Sequence, residues 1–294
     1  NLLIFLLYKH LLYNNEVHLQ KHKHPLSQPV SLPYQVYLTA QLDIFHFFQH
    51  RLFLDQEELL HYQELYIAFD FESEFVDGVH VVNYSNAQSL YTHQRYTHSN
   101  IGDFISFALG QKNTTFIAHN MKGYDGWLIH NHLVQNFGRK PDKITLAGNK
   151  IMYMKFGSVR FIDSLNFIST SLSAMPKMFG LDESKFKKGY FPYLMNTKEY
   201  QNYVGEMPPV SLYEPHKMKP SAGNIDKYGC IHKATEATQN DFMVWYNKHV
   251  ENKYVFDFQA ELKSYCESDV DILCESLEVF RDDMKAQNEQ IAPL

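Results

Sequence analysis

Cysteine is scarce in this chain: three in 294 residues, Cys230, Cys266 and Cys274. Three thiols cannot build a disulfide framework, so a reducing compartment is expected rather than secretion. There is no Cys-x-x-Cys pair, so a Cys-based zinc site is not expected. Glycine is also sparse, at 13, while aromatic residues reach 15% (22 Phe, 20 Tyr, 2 Trp). That balance excludes a disordered, collagenous or low-complexity chain. A basic excess is missing too: 27 Lys and Arg stand against 33 Asp and Glu, for a net charge of −6. Nucleic-acid binders usually carry a basic footprint, so at first reading the total counts against such a partner. The apolar start Asn1–Tyr13, NLLIFLLYKHLLY, is too short to span a bilayer and is broken by Lys9 and His10. It has neither a basic leader nor a small-residue cleavage site, so a signal peptide is not expected. The chain does not begin with Met, and the expectation is a fragment or a partial gene model.

The charge is segregated. Leu54–Gly78 holds eight acids and no Lys or Arg, Arg139–Lys198 eleven bases to four acids, and Asp257–Glu289 ten acids to three bases. The net −6 therefore averages acidic and basic segments. Residue patterns predict a strand over Leu65–Phe71 and a hairpin partner at Val79–Asn83 across the Asp77-Gly78 turn. Asn100 is expected to cap a helix to about Gln111, with Ile101, Phe104, Ile105 and Ala108 on one face. A buried strand at Thr114–His119 precedes a helix from about Tyr124 to Phe137. Lys143–Asp163 suggests two or three strands with turns at Gly148-Asn149 and Gly157-Ser158. Pro208–Tyr228 reads as an exposed insertion. Helices over Glu236–Glu251 and Asp257–Lys285 close the chain. Strands with interleaved helices indicate a layered α/β domain. Residues 1–64 are poorly readable, and His10, His18, His22 and His24 there lack metal-motif spacing.

Three acidic motifs carry the chemistry. In Phe69-Asp70-Phe71-Glu72, a strand places Asp70 and Glu72 on one face and the two phenylalanines on the other. Side-by-side carboxylates repel unless a cation lies between them. In His119-Asn120-Met121-Lys122-Gly123-Tyr124-Asp125, an apolar strand ends and a helix opens, with Asp125 in the first turn where the macrodipole favours an acid. In Tyr265-Cys266-Glu267-Ser268-Asp269-Val270-Asp271, helical spacing puts Tyr265 and Asp269 on one face beside the apolar stripe Leu262, Val270, Leu273 and Leu277. Four carboxylates (Asp70, Glu72, Asp125, Asp269) suit two hard divalent cations, Mg²⁺ or Mn²⁺. Such a pair, ~3.5–4 Å apart, activates water and stabilises both oxygens of a phosphodiester displacement.

These motifs resemble the DEDD 3′→5′ exonucleases, tyrosine branch, on the ribonuclease H-like fold, an α/β fold whose mixed central sheet is flanked by helices. More closely, they resemble the proofreading domain of protein-primed family B DNA polymerases, a group including bacteriophage, adenoviral, linear-plasmid and Polinton/Maverick transposon enzymes. FDFES is similar to the first exonuclease motif, HNMKGYDG to the second and YCESDVDIL to the third. Asp163-Ser164-Leu165 resembles the Ser/Thr-Leu DNA-binding motif, with Ser171-Leu172 as a rival match, and Lys188-Gly189-Tyr190-Phe191 resembles the Lys-x-x-hydrophobic motif. The resemblance spans about Leu65 to Met284, with a nuclease domain over 65–287 interrupted by an insertion at about 195–235. It implies that Asp70, Glu72, Asp125 and Asp269 are metal ligands, that Tyr265 orients the attacking water, and that Lys188 stabilises charge on the scissile phosphate. It assigns Ser73, His119, Asn120, Leu128, Ser164 and Leu165 to gripping a single-stranded DNA 3′ end. Phe69, Phe71, Tyr124 and Trp127 lie near enough to stack on frayed bases, though most are expected in the core.

The palm motifs resembling D-x-x-S-L-Y-P and Y-x-D-T-D-S are absent: Pro208 replaces the aspartate before Ser211-Leu212-Tyr213, and Glu214 intervenes before Pro215. Palm, fingers and thumb are therefore not expected in this chain, and nuclease chemistry in DNA replication is. The implied partners are a parent polymerase domain and a terminal priming protein, with no membrane. The implied location is intracellular: nuclear for a transposon parent, mitochondrial for a linear plasmid. Two other readings stay open, a free-standing DEDD exonuclease and a catalytically silent transposon remnant that binds single-stranded nucleic acid. The resemblance reverses the first inference from charge. Four acids would sit with cations, and the bases gather in Arg139–Lys198, where the DNA-grip and Lys188 motifs lie.

Overall fold

The computed structural model describes residues 65–213 and 236–291. The apolar start, the N-terminal histidines, Cys230 and residues 214–235 of the expected insertion lie outside them. Seven strands form one mixed sheet: β1 (Leu65–Val76), β2 (Val79–Ser89), β3 (Arg95–His98), β4 (Thr114–Ala118), β5 (Lys143–Ala147), β6 (Lys150–Phe156) and β7 (Val159–Asp163), in the order β3-β2-β1-β4-β7-β6-β5. β1, β4 and β7 run parallel at the centre, and the outer pairs are antiparallel. β4, TTFIA, is buried throughout, as a strand covered on both faces should be.

Helices α1 (Ile101–Gly110) and α2 (Asp125–Phe137) cover one face. The short α3 (Met175–Phe179) and the long α5 (Phe258–Ile291) cover the other. Between these last two in sequence lies α4 (Glu236–Glu251). The period of two in β1 feeds both cores. Ile67, Phe69 and Phe71 pack toward α1 and α2, and Tyr66 and Ala68 pack toward α3 and α5. Asp70 and Glu72 continue this second row beyond the apolar part of the strand.

Local chemistry sets the boundaries. Asp77 and Gly78 both have positive φ (49° and 84°), the geometry of a tight hairpin turn. β2 runs past the expected Asn83 to Ser89, because Ser85, Ala87 and Ser89 continue its pairing with β1. The Asn100 side chain accepts the Asp103 N–H at 2.9 Å and starts α1. α2 begins at Asp125, after a 3₁₀ turn at Met121–Gly123 that the expected start at Tyr124 overlooked. Gly148 and Gly157, with φ of 62° and 61°, turn Lys143–Asp163 into three strands. β3, α3 and a two-stranded ribbon, β8 (Val204–Gly205) with β9 (Phe256–Asp257), carried no sequence signal strong enough to be expected. The loop expected to be exposed from Pro208 begins packed: Pro208 is buried and Tyr213 is 1% exposed, its ring tilted against Phe242 at 5.3 Å. Among the described residues, no helix is long and apolar enough to cross a membrane.

Phe69 is the hub of the α1/α2 core, with ring centroids of Phe71, Phe104, Phe116 and Phe161 at 5.3, 5.1, 6.2 and 6.2 Å. Phe69→Ala should cost about 3–5 kcal/mol, measurable as a lowered urea midpoint with an unchanged slope.

Candidate active site

The site forms where the parallel pairing ends. β4 and β7 stop at Ala118 and Asp163, while β1 pairs with β4 only as far as Ala68 and runs on to Val76. Asp70 and Glu72 therefore stand beside the carboxyl ends of β4 and β7, the usual ligand position in open α/β sheets. β1 supplies Asp70 and Glu72, the turn after β4 supplies His119, Asn120 and the α2 start with Asp125, and Ser164 and Leu165 follow β7. From across the crevice, α5 contributes Tyr265 and Asp269, and the segment after α3 contributes Lys188.

Asp70 lies within electrostatic reach of Asp269, Asp125, Glu72 and Lys188. Burial, then repulsion by those three acids, holds its carboxyl far above the ordinary range. Burial and then Asp269 push Glu72 up to about 8 against the opposing Lys188 charge. Burial pushes Asp125 up to about 7, against the pull of its own backbone N–H. Asp269 is raised by burial and restrained by the hydrogen-bonded ion pair it makes with Lys188. Burial opposes the Lys188 charge, but Asp269, Tyr265 and Asp70 outweigh it and keep the ammonium protonated. Lys188 Nζ also stands 4.7 Å from the Tyr265 ring centroid, and Phe191 stacks on the other partner of this trio, Tyr265, at 5.4 Å. Burial raises the Tyr265 phenol, which is therefore neutral at pH 7.

Four carboxylates thus face one ammonium. Asp125 Oδ1 and Asp269 Oδ1 are sealed from solvent and make no hydrogen bond. Orphaned buried carboxylate oxygens are costly unless a cation meets them. The four carboxylates are hard oxygen donors and fit hard divalent cations such as Mg²⁺ or Mn²⁺.

The expected DNA-grip residues divide. His119 Nδ1 is 2.9 Å from Ser164 Oγ, and burial followed by the nearby Lys188 charge lowers its pKa to about 4, so the ring is neutral. Ser164 is 0% exposed and donates to the Ala118 carbonyl at 3.2 Å. Its hydroxyl is committed to holding His119 and β4, not presented to the crevice. In the rival match, Ser171 is exposed and Leu172 half-buried. Asn120 is exposed in the left-handed region (φ 67°). Leu128 is half-buried against the α1/α2 core, and Leu165 is half-buried. Ser73 Oγ is hydrogen-bonded to the Tyr124 hydroxyl and lies 2.9 Å from His80 Nδ1. Phe69 and Phe71 are core residues, and the Trp127 indole N–H donates to the Asn149 carbonyl at 2.9 Å.

Three features escaped the sequence reading. The β1–β2 register breaks between Glu72 and Ser73, leaving Asn83 as an extra residue. Its amide donates to Asn196 Oδ1 at 2.7 Å, and Asn196 donates to the Ser73 carbonyl at 2.9 Å, tying the acidic strand to the segment after Lys188. Asp163 is fully buried and accepts the backbone N–H groups of Asn120, Lys122 and Leu165 at 3.0, 2.8 and 2.8 Å. It shapes the turn that delivers Asp125, and an Asp directly ending a strand was a usable turn signal. The Cys266 thiol, 0% exposed, clusters with Asp70 and Glu72, their ligand atoms all within 4.8 Å of one another.

Comparison with known proteins gives the class. The family model described as DNA polymerase type B, organellar and viral matches residues 106–291. The chain belongs to that family. The matched stretch contains Asp125, Lys188, Tyr265 and Asp269, whereas Asp70 and Glu72 precede it. Among solved structures, the chain is similar to Phi29 DNA polymerase complexed with primer-template DNA (13% identity, TM-score 0.44) and to the same polymerase complexed with single-stranded DNA (13% identity, TM-score 0.45). Each match covers 74% of this chain and 31% of the Phi29 chain, so the likeness spans about a third of that polymerase. No curated protein matches the chain.

The crowded acids, half-buried at Glu72 and buried at Asp125, set a pH dependence. Glu72 and Asp125 hold protons to about 8 and about 7 when folded, against ordinary values of 4.5 and 3.8. Between these limits the folded state binds more protons than the unfolded one, so stability falls as pH rises. His119, lowered from 6.5 to about 4, contributes in the opposite sense, but that contribution is complete above pH 6.5. In chelator, the denaturation midpoint should therefore drop between pH 6.5 and 8, and Glu72→Gln should flatten the drop. A midpoint that rises over this interval would contradict the buried cluster.

Proposed function

We propose that this region is the 3′→5′ proofreading exonuclease of a protein-primed family B DNA polymerase, built on the ribonuclease H-like fold of the DEDD tyrosine branch. The observation that carries the reading is the meeting of Asp70, Glu72, Asp125 and Asp269 with Lys188 and Tyr265 at one sheet edge. Family membership supports it, because it ties the chain to DNA polymerases.

In this reading the four carboxylates hold two Mg²⁺ or Mn²⁺ ions. Bound there, the ions would lower the pKa of water and stabilise the attacking and leaving oxygens of an in-line displacement. Tyr265 keeps its phenolic proton and donates it to orient the attacking water. Lys188 stands beside Asp269 and offsets negative charge growing on the scissile phosphate. Neutral His119, exposed Asn120, Leu128, Leu165 and Ser73 line the path of the terminal nucleotides, with Ser164 fixing His119 from beneath. Hydrolysis needs no covalent intermediate, and the described residues hold no nucleophile elbow. The polymerase domain and a terminal priming protein are the proposed partners.

Purified protein with Mg²⁺ or Mn²⁺ should release nucleoside monophosphates from the 3′ end of single-stranded DNA. Asp70→Ala and Asp125→Ala should each abolish release without lowering the thermal midpoint in chelator. Tyr265→Phe should slow release roughly 10²-fold while leaving Mn²⁺ affinity unchanged. Binding of single-stranded DNA with no metal-dependent release would sink the reading and leave a silent nucleic-acid binder.

A further inference from the structure

A second cluster of ligating groups lies away from the acidic crevice, where the β2–β3 turn meets α5. A His93 ring nitrogen, the Cys274 thiol sulfur and a Glu278 carboxylate oxygen all lie within 4.8 Å of one another. Cys274 and Glu278 are four apart on α5 and so share a face. Cys274 is a free thiol with 0% exposure. Glu278 Oε1 is sealed from solvent, makes no hydrogen bond and stands 3.6 Å from His93 Nε2. His93 is half exposed at the turn, which gives an entry path from solvent.

The surroundings complete the pattern. Metal-bound histidine normally passes its other N–H to a carboxylate or carbonyl, which fixes the ring. His93 Nδ1 has Glu275 Oε1 at 4.0 Å and the Gln88 amide at 3.5 Å. Gln88 is 5% exposed and its Oε1 is buried without a partner. Turning that amide over brings the orphaned oxygen onto Nδ1–H, the tautomer that frees Nε2 to ligate.

We propose that His93 Nε2, Cys274 Sγ and Glu278 Oε1 form a zinc-class divalent-cation site that fastens the β2–β3 turn to α5. A borderline imidazole and a soft thiolate beside one hard carboxylate make a mixed donor set that suits Zn²⁺ or Co²⁺ over Mg²⁺. On binding, the thiol proton leaves to solvent, and two anionic ligands then neutralise the dication. A water takes the fourth position of the tetrahedron. The sequence expectation against a Cys-based zinc site rested on the lack of paired cysteines. Here the ligands come from a turn and a helix, a spacing no local motif records. The site is independent of the nuclease reading. It shares α5 with Tyr265 and Asp269, so a bound ion stiffens the helix that carries them.

The test is a Co²⁺ titration of the full, metal-stripped chain, followed by Zn²⁺ displacement. Because Cys266 lies in the acidic cluster and Cys230 outside the described residues, it is run on protein carrying Asp70→Asn, Cys266→Ala and Cys230→Ser. One equivalent of Co²⁺ should produce a thiolate charge-transfer band in the near ultraviolet. One equivalent of Zn²⁺ should displace it and raise the thermal midpoint. Cys274→Ser should remove the band. His93→Asn, which keeps a residue type at ease with the local positive φ of 52°, should weaken Co²⁺ binding at least roughly tenfold and serves if Cys274→Ser fails to fold. Absence of the band, or a band of full affinity in His93→Asn, would overturn the proposal.

Discussion

Like charges brought together out of water govern this molecule. Asp70, Glu72, Asp125 and Asp269 come from three separate elements; burial raises each of them, and repulsion by the other site acids adds to it at Asp70 and Glu72. One ammonium, Lys188, offsets part of that repulsion through its pair with Asp269. A cluster held only for stability would gain more from apolar side chains of similar volume. Its cost is supported by the two hydrophobic cores that clamp β1 from both faces.

The surrounding structure serves to hold those carboxylates in register. Parallel packing sets the ends of β4 and β7 beside the stretch of β1 that runs on past its pairing with β4. Buried Asp163 gathers three backbone N–H groups and forces the turn that starts α2 with Asp125. The bulge at Asn83 and the buried Asn196 bind the acidic end of β1 to the segment that follows Lys188. Phe191 and Lys188 both contact Tyr265, so motifs far apart in the chain converge on one ring.

Much of the local geometry around the candidate site was legible in the sequence. The alternation in Phe69-Asp70-Phe71-Glu72 separates core from crevice, because strand side chains alternate faces whatever the partner. The Asn100 cap and the paired-glycine turns were equally local. Ser164 shows the limit. Its resemblance to a DNA-gripping serine says nothing of burial, and the fold turns its hydroxyl inward to Ala118 and His119. The packing of Pro208 and Tyr213 was hidden for the same reason, since prolines and polar neighbours look like a loop until α4 supplies Phe242.

The sequence by itself determined most of the larger elements and the acidic spacing of the candidate site: periodicity, caps and acid spacing are short-range properties written in neighbouring residues. The tertiary structure alone decided which acids share a crevice, which polar atoms are orphaned there, and that His93 meets Cys274 and Glu278. Those facts depend on strand order and helix placement. They arise from long-range burial of apolar faces, which no local pattern encodes.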